Sequence, residues 1–218
     1  MSNIALEIAC QESRSGSVVA TKPRNKRRIA GHQTLGIVDF YKSIPNLAEK
    51  IGIEVGCFWG ESSEIAAQFL KYLWCVDCWE DGATTDTDRL VFLERMKSHR
   101  NVAVLDMPSH KAARFFRDEV FDLVYIDAAH DFANVSRDIV LWFPKIKLGG
   151  YIGGHDYNEG HVAVRAAVDV ILNTPNTRFR DSSWLLRKTP KLVKRFAGHR
   201  DRLNEMQAIP PELQPKKK

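Results

Sequence analysis

The chain has 218 residues, 44% of them apolar, with a formal net charge of +5. That length supports one sizeable core and leaves little room for a second, and no run of eighteen apolar residues is present to cross a bilayer. Met1 to Cys10 lack a basic stretch ahead of apolar residues, and four cysteines are too few for a disulfide framework, so a cytoplasmic setting is expected.

In chain order, residues 1–34 mix Ser, Gly, Pro and a basic run without an apolar period and are expected to form a flexible basic segment. A single domain is expected over 35–190. It opens with a short helix after Leu35 that breaks near Pro45. From Ile51 short apolar runs alternate with helical periods: IGIEV, ESSEIAAQFLK, YLWCV, TDRLVFLERMKS, NVAVL, SHKAARFFRD, FDLVYID, FANVSRDIVLWFPKI, GYIGG and HVAVRAAVDVIL. Strands alternating with helices imply parallel βαβ units and a doubly wound, Rossmann-like α/β sheet. TRFRDSSWLLRK offers two more strands as a closing antiparallel hairpin, which brings the total to seven. Residues 191–218 read as a flexible basic tail.

Charge is unevenly spread: residues 51–177 hold twelve Lys and Arg against nineteen acids, while both ends are basic. Attraction to nucleic acid or another polyanion would therefore reside in the tails and not in the pocket. Helix FANVSRDIVLWFPKI carries enough apolar surface for a homodimer.

In open parallel sheets ligands bind beyond the carboxyl ends of the strands. The first such stretch runs Glu54-Val55-Gly56-Cys57-Phe58-Trp59-Gly60-Glu61-Ser62-Ser63. Gly56 and Gly60 permit a tight turn around Phe58, and Ser62 stands at a helix start whose amides would face a ligand. A dinucleotide fingerprint would need glycine where Phe58 and Glu61 stand, and a P-loop would need Gly-Lys-Ser/Thr, so pyrophosphate binding is disfavoured. Asp77 ends the second strand twenty-one residues after Gly56, at the distance where an acid reaches ribose hydroxyls. Trp79 is a candidate to stack on adenine, and Cys75 and Cys78 are read as packing residues.

The stretches IEVGCFWGESS, VDCWED, FDLVYIDAAHDFANVSRDIVLWFPKIKLGGYIGGHDY and VRAAVD resemble the class I methyltransferases that use S-adenosylmethionine (SAM), in particular the methyltransferase domain 24 family. The resemblance covers roughly residues 35–175. It implies SAM as cofactor, with Glu54, Gly56 and Gly60 around the methionine portion, Asp77 on ribose, and the Asp106 to Ser109 turn bordering adenine. That turn reads Asp-Met-Pro-Ser where Gly-Asp-Ser is more familiar.

The fourth and fifth strands deliver Asp127, His130, His155 and Asp156 to neighbouring edges, a concentration of polar groups with no packing purpose. Related sugar and catechol O-methyltransferases hold a divalent ion at positions matched by Asp127 and Asp156; His155 stands where an acid is common. Magnesium prefers oxygen ligands, whereas imidazole suits manganese and its neighbours better. His130 resembles the histidine of the Asp-x-x-His arrangement that takes the proton in some sugar enzymes. The acceptor implied is a small molecule or glycan hydroxyl; RNA or protein methylation and non-catalytic nucleoside binding are the competing readings.

Overall fold

The computed structural model describes the backbone over 31–79 and 85–207 and the side chains over 35–79 and 85–199. Residues 1–30, most of the expected N-terminal segment, and 208–218, part of the expected C-terminal tail, lie outside the described residues, as do residues 80–84. The elements are α1 (Gly31–Lys42), β1 (Ile51–Val55), α2 (Glu61–Phe69), β2 (Tyr72–Asp77), α3 (Asp86–Met96), β3 (Val102–Asp106), α4 (Ser109–Ala112), β4 (Phe121–Ile126), α5 (Phe132–Trp142), β5 (Ile146–Gly154), α6 (Val162–Ile171), β6 (Thr177–Arg178), β7 (Trp184–Arg187) and α7 (Pro190–Gln207). Seven strands form one sheet in the order β3-β2-β1-β4-β5-β7-β6. β1 to β5 run parallel, and β7 is antiparallel to both β5 and β6.

Alternation along the strands builds a core on each face. On β4, Val124 and Ile126 pack with Val135, Ile139 and Trp142 of α5 and Val164 and Val168 of α6. Leu123 and Tyr125 face the other way, among Phe40 and Tyr41 of α1 and Ala66 and Ala67 of α2. The winding reverses between β1 and β4, so the crevice that such sheets use for ligands opens above Val55 and Ile126. Backbone pairing continues across that edge: the Asp127 amide donates to Val55 O and the His155 amide to Ile126 O.

Three expectations change. SHKAARFFRD forms only the one-turn α4 and a 3-10 turn, Ala113–Phe115. Phe116 then turns inward, edge-on to Trp74 and Phe121 at ring separations of 5.2 and 4.8 Å. Reaching that core site requires extended backbone, which ends the helix. The chain after Pro190 is not a flexible tail at its start: α7 buries Leu192 and Phe196, the latter 4.5 Å from the Phe143 ring. Pro190 is tolerated in the first helical turn, and the Leu192/Phe196 spacing makes one apolar face that basic composition hides. The apolar face of α5, expected to be available for a homodimer, is consumed inside the monomer, since Val135, Ile139 and Trp142 are all buried. Among the described residues no helix is long and apolar enough to cross a membrane.

Candidate functional site

The β1–α2 turn carries three consequences of its sequence. Gly56 has φ +88°, and a Cβ there would lie 2.1 Å from the Asp127 carbonyl oxygen. Only glycine lets the ends of β1 and β4 approach this closely. Phe58 also adopts a left-handed backbone, φ 46°, and Gly60 caps α2 at φ 77°. What stabilises the turn is Asp77: its Oδ2 accepts from the amides of Cys57 (2.8 Å) and Phe58 (2.9 Å), and its Oδ1 from those of Cys78 (2.7 Å) and Trp79 (3.1 Å). A carboxylate offers about four lone-pair sites, and four amides occupy them. In this conformation Asp77 ties two loops together, each of its oxygens accepting from two amides.

Three further residues expected against the cofactor have partners within the protein. Trp79 is 1% exposed, its ring 5.0 Å from that of Phe92 and its indole donating to Phe58 O at 2.9 Å, so it is core and not a platform for adenine. Ser109 donates to Asp138 (2.6 Å) and accepts from the Trp142 indole (2.8 Å), which fastens the start of α4 to α5. Glu54 is fully buried and accepts from the hydroxyls of Ser62 and Ser63, which anchors the first turn of α2 beneath the Gly56 loop. Asp106 is exposed at the tip of β3 and pairs with Arg89. Of the two cysteines read as packing residues, Cys75 is buried and Cys78 partly so; Cys57 is a further buried thiol.

Burial pushes the Glu54 carboxyl up to about 8, against the opposing hydrogen bonds from Ser62 and Ser63. A folded-state value above the unfolded one means stability that is full below the unfolded value near 4.5 and is lost as pH rises towards 8. The expected slope is up to about 1.4 kcal/mol per pH unit. Urea denaturation between pH 5 and 8 should show this decline, and Glu54→Gln should flatten it; parallel curves for the two proteins would remove Glu54 as its source.

At the neighbouring edge three imidazoles converge on Asp156, itself left-handed at φ 60°, a conformation aspartate tolerates better than most residues. His130 Nε2 lies 2.7 Å from Asp156 Oδ2 and 3.8 Å from Asp127 Oδ1. His155 Nδ1 lies 3.1 Å from Asp156 Oδ1 and 3.9 Å from Asp127 Oδ1. His161 Nδ1 stands 3.4 Å from the same Asp156 oxygen. The sequence reading missed His161; its place follows from Asn158, whose side chain accepts from the amides of Gly160 and His161 and folds that segment back over the β5 end. The His-x5-His interval from His155 was the available signal.

The carboxylates set the charge of the imidazoles. Asp127 and Asp156 push His130 up to about 10, the shorter Asp156 contact being the stronger bond. Burial opposes the charge of His155, but the bond to Asp156 and the field of Asp127 outweigh it and raise the group to about 9. Two sets, Asp127/His155/Asp156 and His130/Asp156/His161, each place their possible ligand atoms within 4.8 Å of one another. Mixed nitrogen and oxygen donors at this spacing fit a divalent transition ion better than magnesium. Asp127 joins the cluster to the Gly56 turn, so the expected donor and chemical ends of the pocket meet at one residue.

Residues 53–157 match the family model described as a methyltransferase domain, methyltransferase domain 24. No curated protein matches the sequence. Among solved structures, the TDP-rhamnose 3'-O-methyltransferase CalS11 of calicheamicin biosynthesis is similar with a TM-score of 0.54 and 13% identity, covering 72% of this chain and 80% of that one. The N-methyltransferase NodS from Bradyrhizobium japonicum WM9 has a TM-score of 0.52 and 17% identity, covering 72% and 94%. An rRNA methylase from Streptococcus thermophilus has a TM-score of 0.51 and 14% identity, covering 70% and 93%. At these identities the neighbours speak to the fold, and their acceptors differ in kind. The chain is a class I SAM-dependent methyltransferase, matched by the methyltransferase domain 24 model over residues 53–157, with SAM as its cofactor.

Proposed function

We propose that this enzyme methylates a hydroxyl of a small molecule or glycan in the cytoplasm, with His130 as the proton acceptor. The observation that carries the reading is the convergence of Asp127, His130, His155, Asp156 and His161 where β4 and β5 end, beside the Gly56 turn. A neutral hydroxyl is a poor nucleophile, so its proton must leave as oxygen attacks the methyl carbon and the carbon–sulfur bonding pair passes to sulfur. His130 takes that proton and Asp156 stabilises the imidazolium formed. Asp127 and Asp156 favour the protonated form of His130; the positive sulfonium of SAM opposes that charge and favours the neutral, accepting form. Most of the acceleration comes from alignment, which contributes about 7–11 kcal/mol in favourable cases.

Asp127, His155 and Asp156 would hold a divalent ion, manganese in preference to magnesium because one donor is an imidazole. Such an ion, when bound, lowers the pKa of a coordinated hydroxyl. On the cofactor side, the Gly56 to Gly60 turn supports a place for the methionine portion, and Glu54, Ser62 and Asp77 act by holding that turn.

The test is transfer of tritiated methyl from SAM across hydroxylated small molecules and glycans, with and without Mn²⁺ or Mg²⁺. His130→Ala should lower turnover by about 10²–10⁴-fold and leave affinity for the demethylated product, S-adenosylhomocysteine (SAH), within about twofold, since His130 lies at the acceptor side of the site. Because α7 packs on the core, tail removal should stop at residues 1–30 and 208–218. Activity confined to RNA or protein and lost with those tails would replace the small-acceptor reading. SAH binding without product on any acceptor would favour a nucleoside-binding module.

A further inference from the structure

The two donor sets that share Asp156 differ in chemistry. His130, Asp156 and His161 offer two imidazoles and one carboxylate, whereas Asp127, His155 and Asp156 offer the opposite ratio. Carboxylate oxygen suits manganese and magnesium, and imidazole suits zinc, copper and nickel, so each set favours a different ion. Tetrahedral zinc with its donors about 2.0–2.1 Å away keeps neighbouring donors about 3.3 Å apart. His161 Nδ1 already stands 3.4 Å from Asp156 Oδ1, His130 Nε2 lies 2.7 Å from Oδ2, and all three donor atoms fall within 4.8 Å of one another. Reaching zinc geometry therefore takes side-chain shifts of about an ångström, with the two rings starting 5.1 Å apart. The ion also has a way in from solvent: the side chains of His130 and His161 are 48% and 39% exposed, against 20% for His155.

We infer that His130, Asp156 and His161 form a zinc-binding site separate from the manganese-type set, and that an ion bound there withdraws His130 from proton transfer. Asp127 and Asp156 favour positive charge at His130, and a dication answers the same field. The 3.3 Å contact between His161 Nδ1 and Asn158 Oδ1 gives way to the ion, while Asn158 still holds the segment through the amides of Gly160 and His161. A neutral imidazole has a single unprotonated nitrogen. With the Nε2 that faces Asp156 on zinc, the proton stays on Nδ1 and neither ring nitrogen accepts another. Zinc binding stands on the geometry alone; its effect on turnover rests on the reading of His130 as the proton acceptor.

The experiment uses untagged, metal-free full-length protein and zinc chloride. Calorimetry against a competing chelator should show zinc binding that weakens at least about tenfold in His130→Ala and in His161→Ala, since even a group behind a metal ligand is worth that much. His155→Ala should keep zinc affinity within about threefold, a change below that scale, because its side chain belongs to the other set. In ¹⁵N-labelled wild type, zinc should shift the ring nitrogens of His130 and His161 most and leave the His130 proton on Nδ1. Zinc affinity unchanged by His161→Ala, lost equally in His155→Ala, or present with no imidazole shift would overturn the site. Saturating zinc should lower manganese-supported methyl transfer about as far as His130→Ala does; undiminished turnover at full occupancy would overturn the withdrawal of His130. SAH calorimetry on the same samples separates the two levels. Failure to bind SAH counts against the methyl-transfer reading, whereas intact SAH binding without zinc at His130 and His161 counts against this site alone.

Discussion

Asp156→Asn should abolish most turnover while leaving cofactor affinity within about twofold, a loss on the order of 10²–10⁴ in rate. Asp156 is the one carboxylate that all three imidazoles approach, at 2.7, 3.1 and 3.4 Å. Burial works against its charge, but hydrogen bonds from His130 and His155 outweigh burial and hold the carboxyl well below the usual range. Asparagine keeps the shape and removes the charge. His130 then loses the partner that orients its ring and stabilises its protonated form, and the candidate ion loses a ligand common to both donor sets. Methyl-transfer rates, SAH calorimetry and Mn²⁺ titration on the same preparation read these effects separately. Equal loss of SAH affinity and rate would contradict the division between donor and chemical ends.

Asp77→Ala should produce the complementary result, a large loss of SAH affinity together with a fall in stability of about 2–4 kcal/mol. Removing its carboxylate leaves the amides of Cys57, Phe58, Cys78 and Trp79 without their acceptors. Two of those residues, Phe58 and Trp79, have left-handed backbones at φ 46° and 43°, which non-glycine residues keep only when their surroundings hold them there. The loops should relax, and the Trp79 indole should lose the Phe58 carbonyl it donates to. Denaturant unfolding beside SAH calorimetry distinguishes this from direct ribose binding. A lost affinity with an unchanged unfolding midpoint would return the carboxylate to a ribose contact.

Much of this protein was legible before any coordinates. Period-two and helical patterns marked nearly every element, because burying one face of a strand or helix is decided by residues two to four positions apart. From the ends of the strands followed the edge where Gly56, Asp127, His130, His155 and Asp156 lie together. Spacing also singled out Asp77, though not what its oxygens hold.

What only the tertiary structure decided are the partners of polar groups far apart in the chain. Ser109 looked like a cofactor contact until Asp138 and Trp142 were brought beside it, and Glu54 until the serines of α2 enclosed it. His161 joined the cluster through a turn capped by Asn158. Local sequence determines which face of an element is apolar, whereas a hydrogen bond depends on distance and direction set by packing several elements at once. The sheet could therefore be read from its residues, and the assignment of its donors and acceptors could not.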